Sequence, residues 1–105
     1  MDMKELKEVY FGGRLKDRAA DILKDLEKGL YFPQRYLILA PLQETGHIEI
    51  VPSLQLIQSG YPAGRFRLAG VAASKEESTE LLLSITEDAL KAGFEDPAAF
   101  LRSRP

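Results

Sequence analysis

The clearest pattern of hydrophobic and polar positions runs over residues 65–94. Residues 65–72 alternate between large residues and small or polar ones, which is typical of a half-buried β-strand. Ser74 and Glu77 follow with the three-residue spacing of a capping box, which marks a helix N-terminus. The pattern predicts one strand, one sharp turn and one long helix over 75–92, whose apolar residues face one side.

The C-terminal part carries two further helix signals. Gly93 stands where a left-handed C-cap residue is expected, and Phe94 can fold back over the last helical turn. Asp96 followed by Pro97 is typical of an N-cap with proline at the first helical position. We therefore expect the long helix to end before Gly93 and a last short helix to cover residues 97–102.

The N-terminal part predicts two successive helices. Apolar residues recur at i, i+3 and i+7 before the Gly12-Gly13 pair, so residues 1–13 are predicted as an N-terminal helix that is mobile or held by a partner. A second helix over 14–28 has the apolar stripe of a surface helix with one buried side. Gly29 fits the left-handed C-cap of this second helix.

The middle of the chain predicts a β-hairpin. Residues 36–40 form an unbroken apolar run, which fits a central strand covered on both faces. Pro41 ends this run or lies at its edge. Residues 43–46 have the composition of a turn, and residues 47–51 alternate as a second strand. The segment 53–59 fits either a short helix, which we favour, or a third extended piece.

Together these elements predict a single α+β domain over residues 1–105. The fold class is a small three-stranded, mainly antiparallel sheet with two main helices packed on one face and short terminal helices. The long connection after the second strand can cross over the sheet, which favours strand order 2-1-3 over the alternative 1-2-3. The other face of such a sheet is open, and a large exposed apolar surface usually marks an interface.

The expected open face leads to the first functional hypothesis, a non-enzymatic protein-interaction module. Its partner would be a second copy of the chain, forming a homodimer, or another protein. The contact would use the open sheet face, an edge strand or the N-terminal helix. Tyr31 and Tyr61 lie beside prolines in irregular segments, and tyrosine is enriched at protein interfaces.

Composition and charge exclude several classes of function. The 105 residues include 14 basic and 16 acidic ones, so the net charge of −2 gives no general attraction to nucleic acid or anionic lipid. There is no cysteine, so disulfides, thiolate nucleophiles and cysteine-based zinc sites are absent. No apolar run reaches the ~18 residues of a membrane helix, and the charged N-terminus is not a secretory signal. We therefore expect a cytoplasmic protein with no membrane contact.

Few residues are suited to catalysis. His47 is the single histidine, and it lies at the start of a predicted hairpin strand, where an exposed turn histidine is expected. Acidic residues cluster in the 75–92 helix, but helical spacing places them on a solvated face. An anion could bind after Ser74 at the helix N-terminus, but Glu76 and Glu77 already bring negative charge there. We therefore expect no cofactor and no metal, and the sequence favours a protein that is not an enzyme.

Two alternative functions are compatible with the sequence. The first is a small-ligand-binding domain or an enzyme with a pocket near the 60–64 loop. Its polar groups would be Tyr61, His47 and either Arg65 or Arg67, which must then converge on one concave site. The second is a weak nucleic-acid binder, which requires a continuous basic stripe joining the arginine groups. Nucleic acid is the least favoured partner, because the aromatic residue between the two arginines faces the opposite side of the predicted strand.

Overall fold

The computed structural model describes residues 4–30, 34–58 and 60–105, and four β-strands and three α-helices lie within them. The strands are β1 (Lys4–Phe11), β2 (Tyr36–Pro41), β3 (Glu49–Pro52) and β4 (Phe66–Ala72). The helices are α1 (Ala19–Glu27), α2 (Lys75–Lys91) and α3 (Pro97–Ser103). Short 3-10 turns cover Lys16–Arg18, Ser53–Ile57 and Ala63–Arg65.

The fold is α+β, and its strands form one mixed sheet in the order β1-β4-β2-β3. β2 pairs antiparallel with both β3 and β4, whereas β1 pairs parallel with β4. The predicted three-stranded, mainly antiparallel sheet is therefore wrong, because the N-terminal segment supplies a fourth strand. Within the sheet, the connection from β3 to β4 passes from one side of β2 to the other.

The predicted N-terminal helix is wrong for residues 4–11, which form β1. Leu6 and Tyr10 are four residues apart, a spacing that places two side chains on one face of a helix and equally on one face of a strand. The β-branched and aromatic residues at the end of this segment favour a strand. Residues 4–5 and 10–11 pair in parallel with β4, with a register shift between the two pairs of residues. Residues 1–3 of the predicted helix lie outside the described residues.

Helices cover both faces of the sheet, which corrects the prediction of one open face. α1 buries Ile22 and Leu26 against one face, and α2 buries Leu81 and Ile85 against the other. Residues 37–40 of β2 belong alternately to these two clusters, and each is at most 1% exposed. An open apolar sheet face is thus not available to a partner.

The predicted capping box of α2 is confirmed, and it reaches the end of β1. Ser74 Oγ accepts a hydrogen bond from Glu77 N at 3.1 Å, and Glu77 Oε1 accepts one from Ala73 N at 2.9 Å. Gly12 lies against the same carboxylate, so a Cβ on this residue would overlap the Glu77 side chain. The glycine therefore permits the close approach of β1 to the start of α2.

The predicted turn from α2 to α3 is also confirmed. Gly93 has a left-handed φ of 88°, and Phe94 folds back to place its ring 5.7 Å from that of Phe100. Asp96 Oδ1 accepts a hydrogen bond from Ala98 N at 3.0 Å, which caps α3. These contacts fix α3 beside α2 on one face of the sheet.

Replacement of Gly12 by alanine is expected to lower the free energy of unfolding by about 1 kcal/mol, because the new Cβ displaces Glu77 from Ala73 N. Urea unfolding measures this change. In a Glu77→Ala background the hydrogen bond is already absent, so the same substitution is expected to cost clearly less. Equal costs in the two backgrounds would contradict this explanation.

Candidate functional site

Two grooves flank the turn between β2 and β3, and Gly46 and His47 line both of them. The first, which we call the turn groove, has a volume of about 320 Å³ and lies between this turn and the start of β4. The second, the helix groove, has a volume of about 490 Å³ and lies between the turn, α2 and the start of α3. The turn groove is further lined by Pro41, Gln43, Glu49, Arg65 and Phe66. The helix groove is further lined by Glu44, Thr45, Ile48, Leu82, Thr86, Asp96, Pro97 and Ala98.

Backbone contacts fix the turn that separates the two grooves. Gly46 N donates to Gln43 O at 3.0 Å, and Arg102 Nη1 donates to the same carbonyl at 3.2 Å from the end of α3. A Cβ on Gly46 would lie 2.5 Å from Pro41 Cβ, so the tight turn requires glycine at this position. The part of the turn that the two grooves share is therefore held by the fold.

The turn groove combines an apolar base with ionisable side chains. Phe66 and Pro41 are buried, whereas His47, Glu49 and Arg65 are exposed. In the described ranges these three side chains make no hydrogen bond or ion pair with another side chain. Their polar atoms are thus available to a ligand.

The helix groove has an apolar floor and an acidic rim. Ile48 and Leu82 are half-buried along its floor. The Thr86 hydroxyl donates to Leu82 O at 2.9 Å, so it is satisfied within α2. Glu44 and Asp96 supply the carboxylates, and Asp96 also caps α3. The groove is therefore suited to an apolar group that carries positive charge beside it.

The apolar surface of the helix groove continues along the outside of α2. We define the α2 stripe as Thr79, Leu83, Thr86 and Leu90, which share one helix face at i, i+4, i+7 and i+11. Leu83 is 60% exposed and Leu90 is 61% exposed, although both are large and apolar. Thr86 belongs to the stripe and to the groove, so the two surfaces are continuous.

The structure separates the residues that were predicted to form one site. His47 and Arg65 line the turn groove together. Arg67 lies in β4, where its Nη1 donates to Arg104 O at 2.8 Å beside the end of α3. Tyr61 packs against the core cluster on the α1 side of the sheet, and Tyr31 lies outside the described residues. Arg65 and Arg67 thus belong to different surfaces, because β4 begins at residue 66 and the alternation of a strand does not include Arg65.

Tyr61 has a second unusual feature, a buried hydroxyl. Its Oη is inaccessible to solvent and has no hydrogen-bond partner in the part of the chain that the structure describes. Burial raises the pKa of the Tyr61 phenol, and the nearby charge of Glu49 raises it further. A buried hydroxyl without a partner lowers stability.

Sequence reasoning missed a cluster that joins β1, α2 and α3. Tyr10 Oη donates to Asp88 Oδ2 at 2.6 Å. Arg104 Nη2 lies 3.2 Å from Glu8 Oε2, and its guanidinium sits over the Phe100 ring at 5.3 Å. Burial and the hydrogen bond to Asp88 raise the pKa of Tyr10 to about 12. No local pattern indicates this contact, because 78 residues separate Tyr10 from Asp88.

Neither a search for metal-binding groups nor a comparison with known proteins indicates a function. Within residues 4–30, 34–58 and 60–105, no three His, Cys, Asp or Glu side chains are grouped so that they could hold a metal ion. None of the described helices combines the length and the apolar character needed to cross a membrane. Comparison of the chain with protein-family models, curated proteins and solved structures finds no match.

Tyr61→Phe is expected to leave the free energy of unfolding unchanged or to raise it by up to about 1 kcal/mol, because it removes an unpaired buried hydroxyl. Tyr10→Phe is the matched control, and it is expected to lower stability by about 1 kcal/mol through loss of the bond to Asp88. Urea unfolding of both variants measures the two effects. Equal destabilisation by the two substitutions would show that the Tyr61 hydroxyl has a partner.

The raised pKa of Tyr10 makes the stability of the fold depend on pH in the alkaline range. The folded-state pKa is raised from 10.0 to about 12, so the unfolded phenol ionises first as pH rises. The contribution of Tyr10 is therefore complete below pH 10 and is lost as pH rises towards 12. Unfolding followed across this range is expected to show a shallower loss of stability in Tyr10→Phe than in the wild type. The same slope in both proteins would contradict the raised pKa.

Proposed function

We propose that this chain is a non-enzymatic interaction module, and that a partner protein docks on the helix groove and the α2 stripe. The observation that carries the proposal is the continuity of apolar surface from the groove floor, through Thr86, to Leu83 and Leu90. Single exposed leucines are ordinary, but a contiguous apolar surface beside a concave groove is typical of interaction sites.

Negative charge around this surface supports one class of partner. Glu44 and Asp96 lie on the groove rim, and Glu80 and Glu87 are exposed on α2 close to the stripe. Carboxylates around an apolar surface favour a segment with the opposite charges around an apolar face. A basic amphipathic segment of another protein therefore fits this surface best.

A second copy of the chain fits the α2 stripe less well than a different protein does. A two-fold contact between two such stripes, centred between Leu83 and Leu90, would place Glu87 beside the same residue of the other copy. Like charges at the centre of a contact oppose association. The charge pattern of α2 therefore favours a different protein over the homodimer that the sequence suggested.

The sheet edges offer little support for self-association. β3 has four residues and ends in Pro52, which has no N–H to donate to an added strand. On the other edge, Lys7 N of β1 already donates to Pro105 O at 2.9 Å. Strand addition at the β3 edge would thus gain few new hydrogen bonds, and at the β1 edge it would compete with the contact between Lys7 and Pro105.

A photo-crosslinking residue in place of Leu83 tests the docking surface in cells. We expect a discrete adduct with another protein at this position. The matched control is the same residue in place of Ile57, which is 65% exposed on the 3-10 turn after β3. Equal adduct yields at the two positions would contradict the proposal. An adduct of twice the chain mass would identify a second copy as the partner instead.

Leu90→Lys is expected to reduce the adduct formed from position 83 at least tenfold, because it removes apolar surface and adds the charge of the proposed partner. Because Leu90 is exposed, we expect this substitution to change the free energy of unfolding by less than about 0.5 kcal/mol. Ile57→Lys makes the same chemical change elsewhere and is expected to leave the adduct yield unaltered. Quantitative blotting and urea unfolding give the two measurements. Unaltered adduct in Leu90→Lys would place the contact away from the α2 stripe.

A further inference from the structure

The turn groove brings together one acidic and two basic side chains that do not neutralise one another. Glu49 begins β3, His47 precedes it in the turn, and Arg65 ends the 3-10 turn before β4. Glu49 and Arg65 carry opposite charges on the walls of one groove, yet they form no ion pair. A groove with separated charges of both signs is complementary to a ligand that also carries both signs.

The backbone holds these two charges on separate elements. Arg65 N donates to Pro62 O at 3.0 Å, and Arg65 O accepts from Leu42 N at 3.0 Å. Glu49 is fixed opposite Leu39 in the antiparallel pairing of β2 and β3. Both Cα positions are therefore set by the fold, and a ligand would meet them without rearrangement of the main chain.

The size and base of the turn groove limit the ligand further. Its volume of about 320 Å³ lies at the lower end of the roughly 300–1,000 Å³ that is typical of small-molecule sites. Phe66, which is 8% exposed, and Pro41 supply an apolar base between the charged walls. A small molecule with one apolar group fits these dimensions better than a large polyanion does.

We propose that the turn groove binds a free α-amino acid with an apolar side chain. The guanidinium of Arg65 holds the ligand carboxylate in a bidentate pair, and His47 supplies a further donor to it. The carboxylate of Glu49 holds the ligand ammonium group. The apolar side chain of the ligand covers Phe66 and Pro41. This site is separate in chemistry from the docking surface of the proposed function, although both touch the same turn.

The charged cluster beside the end of α3, formed by Arg67, Arg104 and Glu8, is less suited to a ligand than the turn groove, because both of its arginines already have partners. Arg67 donates to the backbone carbonyl of Arg104, and Arg104 pairs with Glu8. The cavity beside Gly12 is likewise lined by Glu77, whose carboxylate is bonded to Ala73 N. Both clusters are accounted for by contacts that hold the fold together.

Isothermal titration with three related probes tests the proposal on the full chain. L-Phenylalanine carries both charges, 2-phenylethylamine lacks the carboxylate, and 3-phenylpropionate lacks the ammonium group. We expect the wild type to bind L-phenylalanine at least tenfold more tightly than either analogue. L-Leucine and L-methionine extend the series to other apolar side chains. Failure of all three amino acids to bind at millimolar concentration would overturn the proposal.

Two conservative variants assign each charge to its partner. Arg65→Gln is expected to lower the affinity for L-phenylalanine at least tenfold. It is expected to leave the affinity for 2-phenylethylamine unaltered, because this amine lacks the carboxylate that Arg65 holds. Glu49→Gln is expected to lower the affinity for L-phenylalanine by a similar factor and to leave the affinity for 3-phenylpropionate unaltered. Arg14→Gln and Glu27→Gln, both exposed sites outside this groove, are the controls for charge alone. Binding that is insensitive to both groove variants would place the ligand elsewhere and overturn the proposal. Near-ultraviolet circular dichroism verifies that each variant is folded.

Discussion

The burial of β2 on both of its faces is the constraint on which the rest of this structure depends. A strand that buries side chains in both directions needs apolar cover above and below it, and one layer of helices cannot supply that. α1 provides the cover on one side, and α2 with α3 provides it on the other. The mixed sheet then lies between two helical layers, with β2 and β4 at its centre.

This arrangement moves the surfaces that can recognise other molecules away from the faces of the sheet. Both grooves form at the turn between β2 and β3, where it meets β4 on one side and α2 with α3 on the other. Arg102 and Gly46 fix this turn through the carbonyl of Gln43. The contacts that close the fold therefore also shape the two proposed binding surfaces.

The sequence predicted helix ends correctly where a single residue type is strongly preferred at a cap position. Ser74, Gly93 and Asp96 each mark the helix end that they were predicted to mark, because caps depend only on nearby backbone atoms. β1 was missed because a spacing of four residues fits a helix face and a strand face equally. The double cover of β2 was visible in its apolar run, but the run does not reveal which helix lies on which face.

The candidate site was predictable only in part, because it depends on contacts between segments that are distant in the sequence. His47 and Arg65 share a groove because the crossover from β3 to β4 brings their segments together. Tyr61 and Arg67 were grouped with them by sequence proximity, but Tyr61 enters the α1-side core and Arg67 faces the end of α3. Contacts between distant segments decide such placements, and a single sequence carries no local signal for them.

Nuclear Overhauser effects between methyl groups test the double cover most directly. We expect contacts from Ile22 and Leu26 of α1 to alternate residues of β2, namely Leu37 and Leu39. We also expect contacts from Ile85 of α2 to the intervening residue, Ile38. Absence of every contact between α1 and β2, with Leu37 and Leu39 accessible to solvent, would contradict the double cover of β2 and restore an open sheet face.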